Sequence, residues 1–460
     1  MRSMHKMVSS TLKYLINICL IVIVFGSIVI YAQNDGTEQN ATGHAGTFAI
    51  QNARIVTVSG APIENGTVVI QNGKIAGVGT NVSIPSGAER IDGRGMTVFP
   101  GMIDSYTSMG LAEITLGLAA SVDLTETGTM NANTRAIKGI HPHSAHINVT
   151  RVNGITTVLS APRGGIISGQ AAVINLNGAT PDEMAVISDF GLMINFPRIA
   201  AGGGGFGGGG FGGFGGQPLD FNEAVRRRDT QVEELKKIFR DAENYLRARE
   251  AYSKDRTLPY VESNQRLDAM APYIRGEKVV IFTAERERDI RAVARFIADT
   301  KLKGIIVGGQ EAWKAADVLK ANNIAVIYTH IYTLPVRDDD PYDSLFEAPA
   351  KMQTAGIKFA ISTGDTGPET RDLPYHAGLA HAYGLSRDEA LRSVTLYPAQ
   401  ILGIADRMGS IETGKIANIV VADGDILEPR TNIKHMFING RMIPLTSRHT
   451  RLFDAFKDRK

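Results

Sequence analysis

Cysteine is almost absent from this chain. The only one, Cys19, lies inside an apolar run close to the N-terminus. The rest of the chain therefore has no thiol pair for a disulfide and no thiolate for a metal site or a nucleophile. An excess of charge of one sign is lacking too. The formal net charge is +2, and acids and bases alternate rather than cluster, so the electrostatic footprint of a nucleic-acid binder is missing. Long apolar runs are scarce: one stands out, Tyr14 to Tyr31, after a short segment carrying Arg2, Lys6 and Lys13. A basic segment followed by such a run reads as an export signal, with Ala32 as the small residue before a cleavage site. The run is also long enough to remain as an anchor, since about 18 apolar residues can span a bilayer. The polar stretch from Gln33 through Gly46 favours cleavage and a linker. The expected location is thus exported, periplasmic or extracellular, with membrane contact only through the N-terminal segment.

What is present is material for a large core. The chain has 460 residues and a 43% apolar fraction, enough for a barrel of roughly 250 residues or more plus a smaller module. From Thr47 to Val78 apolar and polar residues alternate, with Asn65-Gly66 and Asn72-Gly73 as hairpin turns. Strand and turn signals return near the other end, in Gly414 to Asp425 and in His435 to Arg441, so a small sheet built from both chain ends is expected. Between Pro100 and Gly403 apolar runs alternate with helical periodicity, the pattern of β/α units around a parallel sheet. Candidate strands are 156–159, 172–176, 279–282, 304–307, 324–328 and 357–361. Candidate helices include 286–301 and 311–322. Two segments interrupt the pattern. Gly202 to Gly216 is nearly pure glycine and is expected to be a surface loop, either an inert insertion or a lid. The amphipathic stretch from Phe221 to Tyr252 places Val232, Leu235, Ile238, Ala242 and Tyr245 on one face of a helix that packs on the barrel.

The stretch Met96 to Ser108 organises the rest. It is an apolar strand entered through Pro100-Gly101, with polar side chains at its C-terminal end, where a parallel barrel places chemistry. It resembles the first barrel strand of the amidohydrolase superfamily, Pro-Gly-x-Ile-Asp-x-His-x-His. Pro100, Gly101, Ile103 and Asp104 match, while Tyr106 and Ser108 stand where that family has ligand histidines. A second match is Gly409-Ser410-Ile411, Gly414-Lys415, Ala417 and Val420-Val421, a structural signature of the same family with Asn418 in place of Asp. Arg371 to Gly378 resembles the exported, imidazolonepropionase-like branch.

The resemblance implies a distorted (β/α)8 barrel with a composite β-sandwich. The expected division is 1–32 signal or anchor, 33–46 linker, 47–99 and 404–445 sandwich, 100–403 barrel with a 201–217 insertion, and 446–460 tail. It also implies hydrolysis of a non-peptide C–N bond in a cyclic or small amide, by a metal such as zinc. Asp365, at the end of the last barrel strand, would then be ligand and proton shuttle, a turn or helix-capping Asp being the plainer alternative. The other ligand positions are poor in donors: Thr283 and the Gly308-Gly309 turn replace histidines, and zinc prefers His, Cys or carboxylate. Two alternatives stay open. One is a single divalent metal on a set built from Asp365 with His330 or Glu113. The other is no metal, in a barrel that binds a small ligand or pairs with an active relative. His141, His143 and His146 are too separated by a helix start at Ser144 to be the preferred site. Arg163, Gln170 and Tyr106 are candidates to hold the small-molecule substrate, the first two on a glycine-rich turn after a strand. Either a homo-oligomer or pairing with a related protein is compatible with the sequence.

Overall fold

The computed structural model describes residues 40–113, 122–199, 220–335, 339–364 and 367–459. The N-terminal apolar run with Cys19, and the glycine-rich segment, lie outside the described residues. Among the described residues of the unit Ala41–Lys460, seventeen strands form two sheets.

The first sheet takes strands from both ends of the chain. It comprises β1 (His44–Ala45), β2 (Phe48–Ile55), β3 (Ile63–Gln71), β4 (Lys74–Gly79), β5 (Glu89–Asp92) and β6 (Thr97–Pro100). Its remaining strands come late in the chain and are numbered below. Phe48, Ile50, Val68, Ile70, Val98, Ile419, Val421 and Phe437 form its own core. Their alternation along each strand is what the two-residue period of the sequence requires. One detail differs from expectation: His44–Ala45, inside the stretch read as linker, pairs with Arg441 and Met442.

The second sheet is a nearly closed barrel of eight strands: β7 (Met102–Thr107), β8 (Ile155–Ser160), β9 (Ile167–Asn175), β10 (Ala185–Asn195), β11 (Val279–Ala284), β12 (Lys303–Gly308), β13 (Ala325–Tyr328) and β14 (Phe359–Ile361). β15 (Ile419–Ala422), β16 (Ile433–Ile438) and β17 (Arg441–Met442) then return to the first sheet, where β15 pairs with β6. The barrel is not uniformly parallel, because β9 runs antiparallel to both β8 and β10. The reason is chain length. Only Ala161–Ile166 separates β8 from β9, and only Leu176–Met184 separates β9 from β10, whereas a parallel crossover needs a dozen or more residues. β10 escapes the sequence pattern because Ser188, Asp189 and Gly191 interrupt its apolar run.

Inside the barrel Ile103, Leu159, Val173, Met193, Ile281 and Ile327 pack together, with Ala399, Leu402 and Met408 beneath them. Outside, the helix Glu287–Thr300 buries Ile290, Val293, Phe296 and Ile297 against the strands. The helix Phe221–Lys254 presents Leu235, Phe239 and Ala242 to the same layer, with Val232 and Ile238 partly covered. Pro100-Gly101 hands the chain from one sheet to the other. The Gly101 amide donates to Asn418 O at 2.9 Å, and a Cβ there would collide with Thr156.

Candidate active site at the barrel mouth

The first and last barrel strands are joined by a side chain rather than by a ladder. Asp104, wholly buried on β7, accepts hydrogen bonds from the Ser362 hydroxyl, from the Thr363 hydroxyl at 2.5 Å and from the Thr363 amide at 3.3 Å. Burial pushes its carboxyl up to about 6, against the pull of these donors. The match of Asp104 to the first-strand motif therefore marks a structural device: a carboxylate closing the seam where β14 meets β7.

Beyond this seam the strand ends bring four side chains together. Tyr106, at the end of β7, is 9% exposed. Its phenol is pushed up by burial and by the Glu285 carboxylate, and is drawn back by the Arg163 guanidinium, which lies 5.9 Å from the ring centroid. Arg163 donates through Nη2 to Gly364 O at 3.0 Å, while its Nε is buried without a partner. Glu285 follows β11 and His330 follows β13. His330 Nε2 lies 2.5 Å from Glu285 Oε2. On the far side of the ring, Nδ1 is 3.3 Å from Thr333 Oγ1. Both side chains keep some exposure, 19% for His330 and 34% for Glu285, so the pair is reachable. Space for the carboxylate comes from Gly308 at the end of β12, where a Cβ would strike the Glu285 carboxyl and φ is +106°. A glycine at the end of this strand thus has a physical purpose.

The remaining sequence candidates fall elsewhere. Asp365 lies outside the described residues, although its neighbour Gly364 is held by Arg163. Glu113 turns its carboxylate to the Ala145 amide at 3.3 Å, at the start of the helix Ala145–Arg151, and its carbonyl lies 2.9 Å from His146 Nε2. Gln170 is the clear departure from expectation. Ala171 and Val173 face the barrel interior, while Ala172 and Ile174 face the outer layer. Gln170 shares the outer parity, and its amide donates to Ala132 O at 2.9 Å. It does not join the group at the mouth. Ser108 is fully buried with an unpartnered Oγ. His376 is buried against Tyr332, with ring centroids 4.1 Å apart.

Glu285 is the residue that sequence reasoning missed. The available signal was its position two residues beyond Thr283, a carboxylate at a strand end beside the position where the resemblance places a ligand histidine.

Among the described residues no group of three or more His, Cys, Asp or Glu comes together as a metal site. Tyr106, Ser108, Thr283 and Gly308 do not supply the nitrogen and carboxylate donors that a paired zinc site needs. Among the described residues the donors Glu285 and His330 are engaged with each other. The described donor set does not fit the usual two-metal centre.

Residues 285–443 match the amidohydrolase family. An imidazolonepropionase of Brucella anthropi is 24% identical over 430 residues, covering 82% of this chain and 93% of that protein. An N-acetylglucosamine-6-phosphate deacetylase of Haemophilus influenzae is 43% identical over 53 residues, 12% of this chain and 13% of its own. Among solved structures, an amidohydrolase from Thermotoga maritima superimposes with a TM-score of 0.74 at 23% identity, covering 86% of this chain and 99% of that one. The sequence relatives are hydrolases of C–N bonds, and the structural likeness is one of fold.

Proposed function

We propose that this chain is an imidazolonepropionase-like member of the amidohydrolase superfamily and that it hydrolyses a small non-peptide amide, with the Glu285–His330 pair moving the proton. The observation that carries the reading is the 2.5 Å contact between His330 Nε2 and Glu285 Oε2 at the barrel mouth, beside the buried Tyr106 and the Arg163 Nε that lacks a partner. In the proposed step His330 takes a proton from water as the water oxygen bonds to the amide carbon. The C–N bond then breaks, and the proton passes to the leaving nitrogen. Glu285 steadies the imidazole, and Arg163 Nε donates to the carbonyl oxygen as charge grows there. Asp365, the next residue after Gly364, is proposed to relay that proton from His330 to the leaving nitrogen.

The test is turnover of imidazolonepropionate and a panel of cyclic amides, together with the metal content of the purified protein and of Asp365→Ala. Turnover that is lost in Glu285→Gln supports the proposal. About one divalent ion per chain, absent from Asp365→Ala, would add a single-metal role for that aspartate.

A second reading is favoured by Tyr106, Ser108, Thr283 and Gly308 at the ligand positions: a barrel that binds a small ligand without chemistry, alone or paired with a related chain. Thermal stabilisation by an amide that the protein never cleaves would support it. Export is part of either reading, and N-terminal sequencing of the secreted protein would locate cleavage near Ala32.

A further inference from the structure

The helix Arg448–Phe456 buries none of its residues. It is begun by a capping box, in which Ser447 accepts from the Thr450 amide at 3.2 Å and the Thr450 hydroxyl lies 2.8 Å from the Ser447 amide. Helices this short are marginal in water unless one face is covered. Here the apolar face is open, with Leu452 48%, Phe453 68% and Phe456 44% exposed. Helical spacing puts these three side chains on one face. Arg448 borders that face on one side, with Arg459 just past the helix end, whereas Asp454 lies away from it and is ion-paired with Lys457 at 2.9 Å. The Arg459 guanidinium sits 4.2 Å above the Phe456 ring, at the edge between apolar and polar faces. A contact between Arg371 Nη1 and His449 Nδ1, at 3.4 Å, ties the helix to the segment before the helix Leu373–Ala382.

We propose that this helix lies in the plane of an anionic lipid surface, with Leu452, Phe453 and Phe456 in the acyl boundary and Arg448 and Arg459 among the headgroups. An apolar stripe with basic flanks and acids turned away is the arrangement that binds such a surface. Size argues against a protein partner. A whole aromatic side chain buries roughly 150–250 Å², and three partly covered residues fall short of the roughly 800 Å² per side of a stable protein interface. Among the described residues no helix is long and apolar enough to cross a membrane, so the arrangement is one of lying on the surface.

The full chain is suited to a local probe, because Cys19 is its only cysteine. Cys19→Ser with Phe453→Cys, labelled with bimane, reports on the helix whatever the N-terminal segment does. With vesicles of equal parts phosphatidylcholine and phosphatidylglycerol, the label should shift to the blue. Phosphatidylcholine alone should leave it unchanged, and high salt should reverse the shift. Adding Arg448→Glu and Arg459→Glu should weaken the response at least tenfold in lipid concentration, with circular dichroism showing an intact fold. No shift with anionic vesicles overturns the proposal, as does an equal shift with neutral ones. A shift without lipid that grows with protein concentration also overturns it, and identifies a second copy of the chain as the occupant.

Discussion

The floor and the mouth of the barrel are both polar, yet they are built differently. At the floor Thr157 Oγ1 donates to Asn175 Oδ1 at 2.8 Å. Asn418 Nδ2 donates to the same oxygen at 2.9 Å, and Asn175 Nδ2 donates to Asn439 Oδ1 at 2.8 Å. Asn418 Oδ1 in turn accepts from the Asn439 amide at 2.9 Å. An amide at position 418 donates and accepts within one network, which an ionised Asp could not do. At the mouth Arg163 Nε is buried without a partner. Such an atom costs about 1–3 kcal/mol when its hydrogen bond is left unmade. A satisfied network holds the two sheets together, while an unsatisfied donor is where an incoming group finds a hydrogen bond.

The contrast can be tested, beginning with the largest effect. Glu285→Gln should lower kcat for the amide substrate by about 10²–10⁴-fold, while shifting urea stability by less than about 1 kcal/mol because the pair is partly exposed. Unchanged turnover would remove the pair from the chemistry.

Asp104 sharpens the comparison from the structural side. Its folded carboxyl titrates near 6, against 3.8 ordinarily, so the folded state holds the proton more tightly. Its contribution is complete below about pH 4 and is lost as pH rises through about 6, a change of about 3 kcal/mol. Urea titrations from pH 4 to 7 should show this slope in the wild type, and Asp104→Asn should flatten it by that amount.

At the floor, Asn418→Ala should cost about 1–3 kcal/mol in urea unfolding with kcat retained. A loss of turnover there would blur the distinction between the two ends. Gly308→Ala should cost about 1–2 kcal/mol of stability from the positive φ. Its turnover should nevertheless fall towards that of Glu285→Gln, since the new methyl displaces the carboxylate.

Much of this architecture is local and so is written in the sequence. The alternating strands with Asn-Gly turns, the amphipathic helices and the Pro100-Gly101 entry each follow from short-range periodicity or turn chemistry. The chain-end signatures, and Tyr106 and Ser108 at the positions where the resembled motif has histidines, can be read in the same way. Contacts between distant residues are another matter. Only the tertiary structure turned β9 antiparallel, because connection length acts only once β10 is known to be a strand. Only packing put Asp104 against Ser362 and Thr363, sent Gln170 to the outer face, and set Glu285 over Gly308 against His330. Periodicity records which face of its own element a side chain occupies. Its partner depends on how strands far apart in sequence are brought side by side.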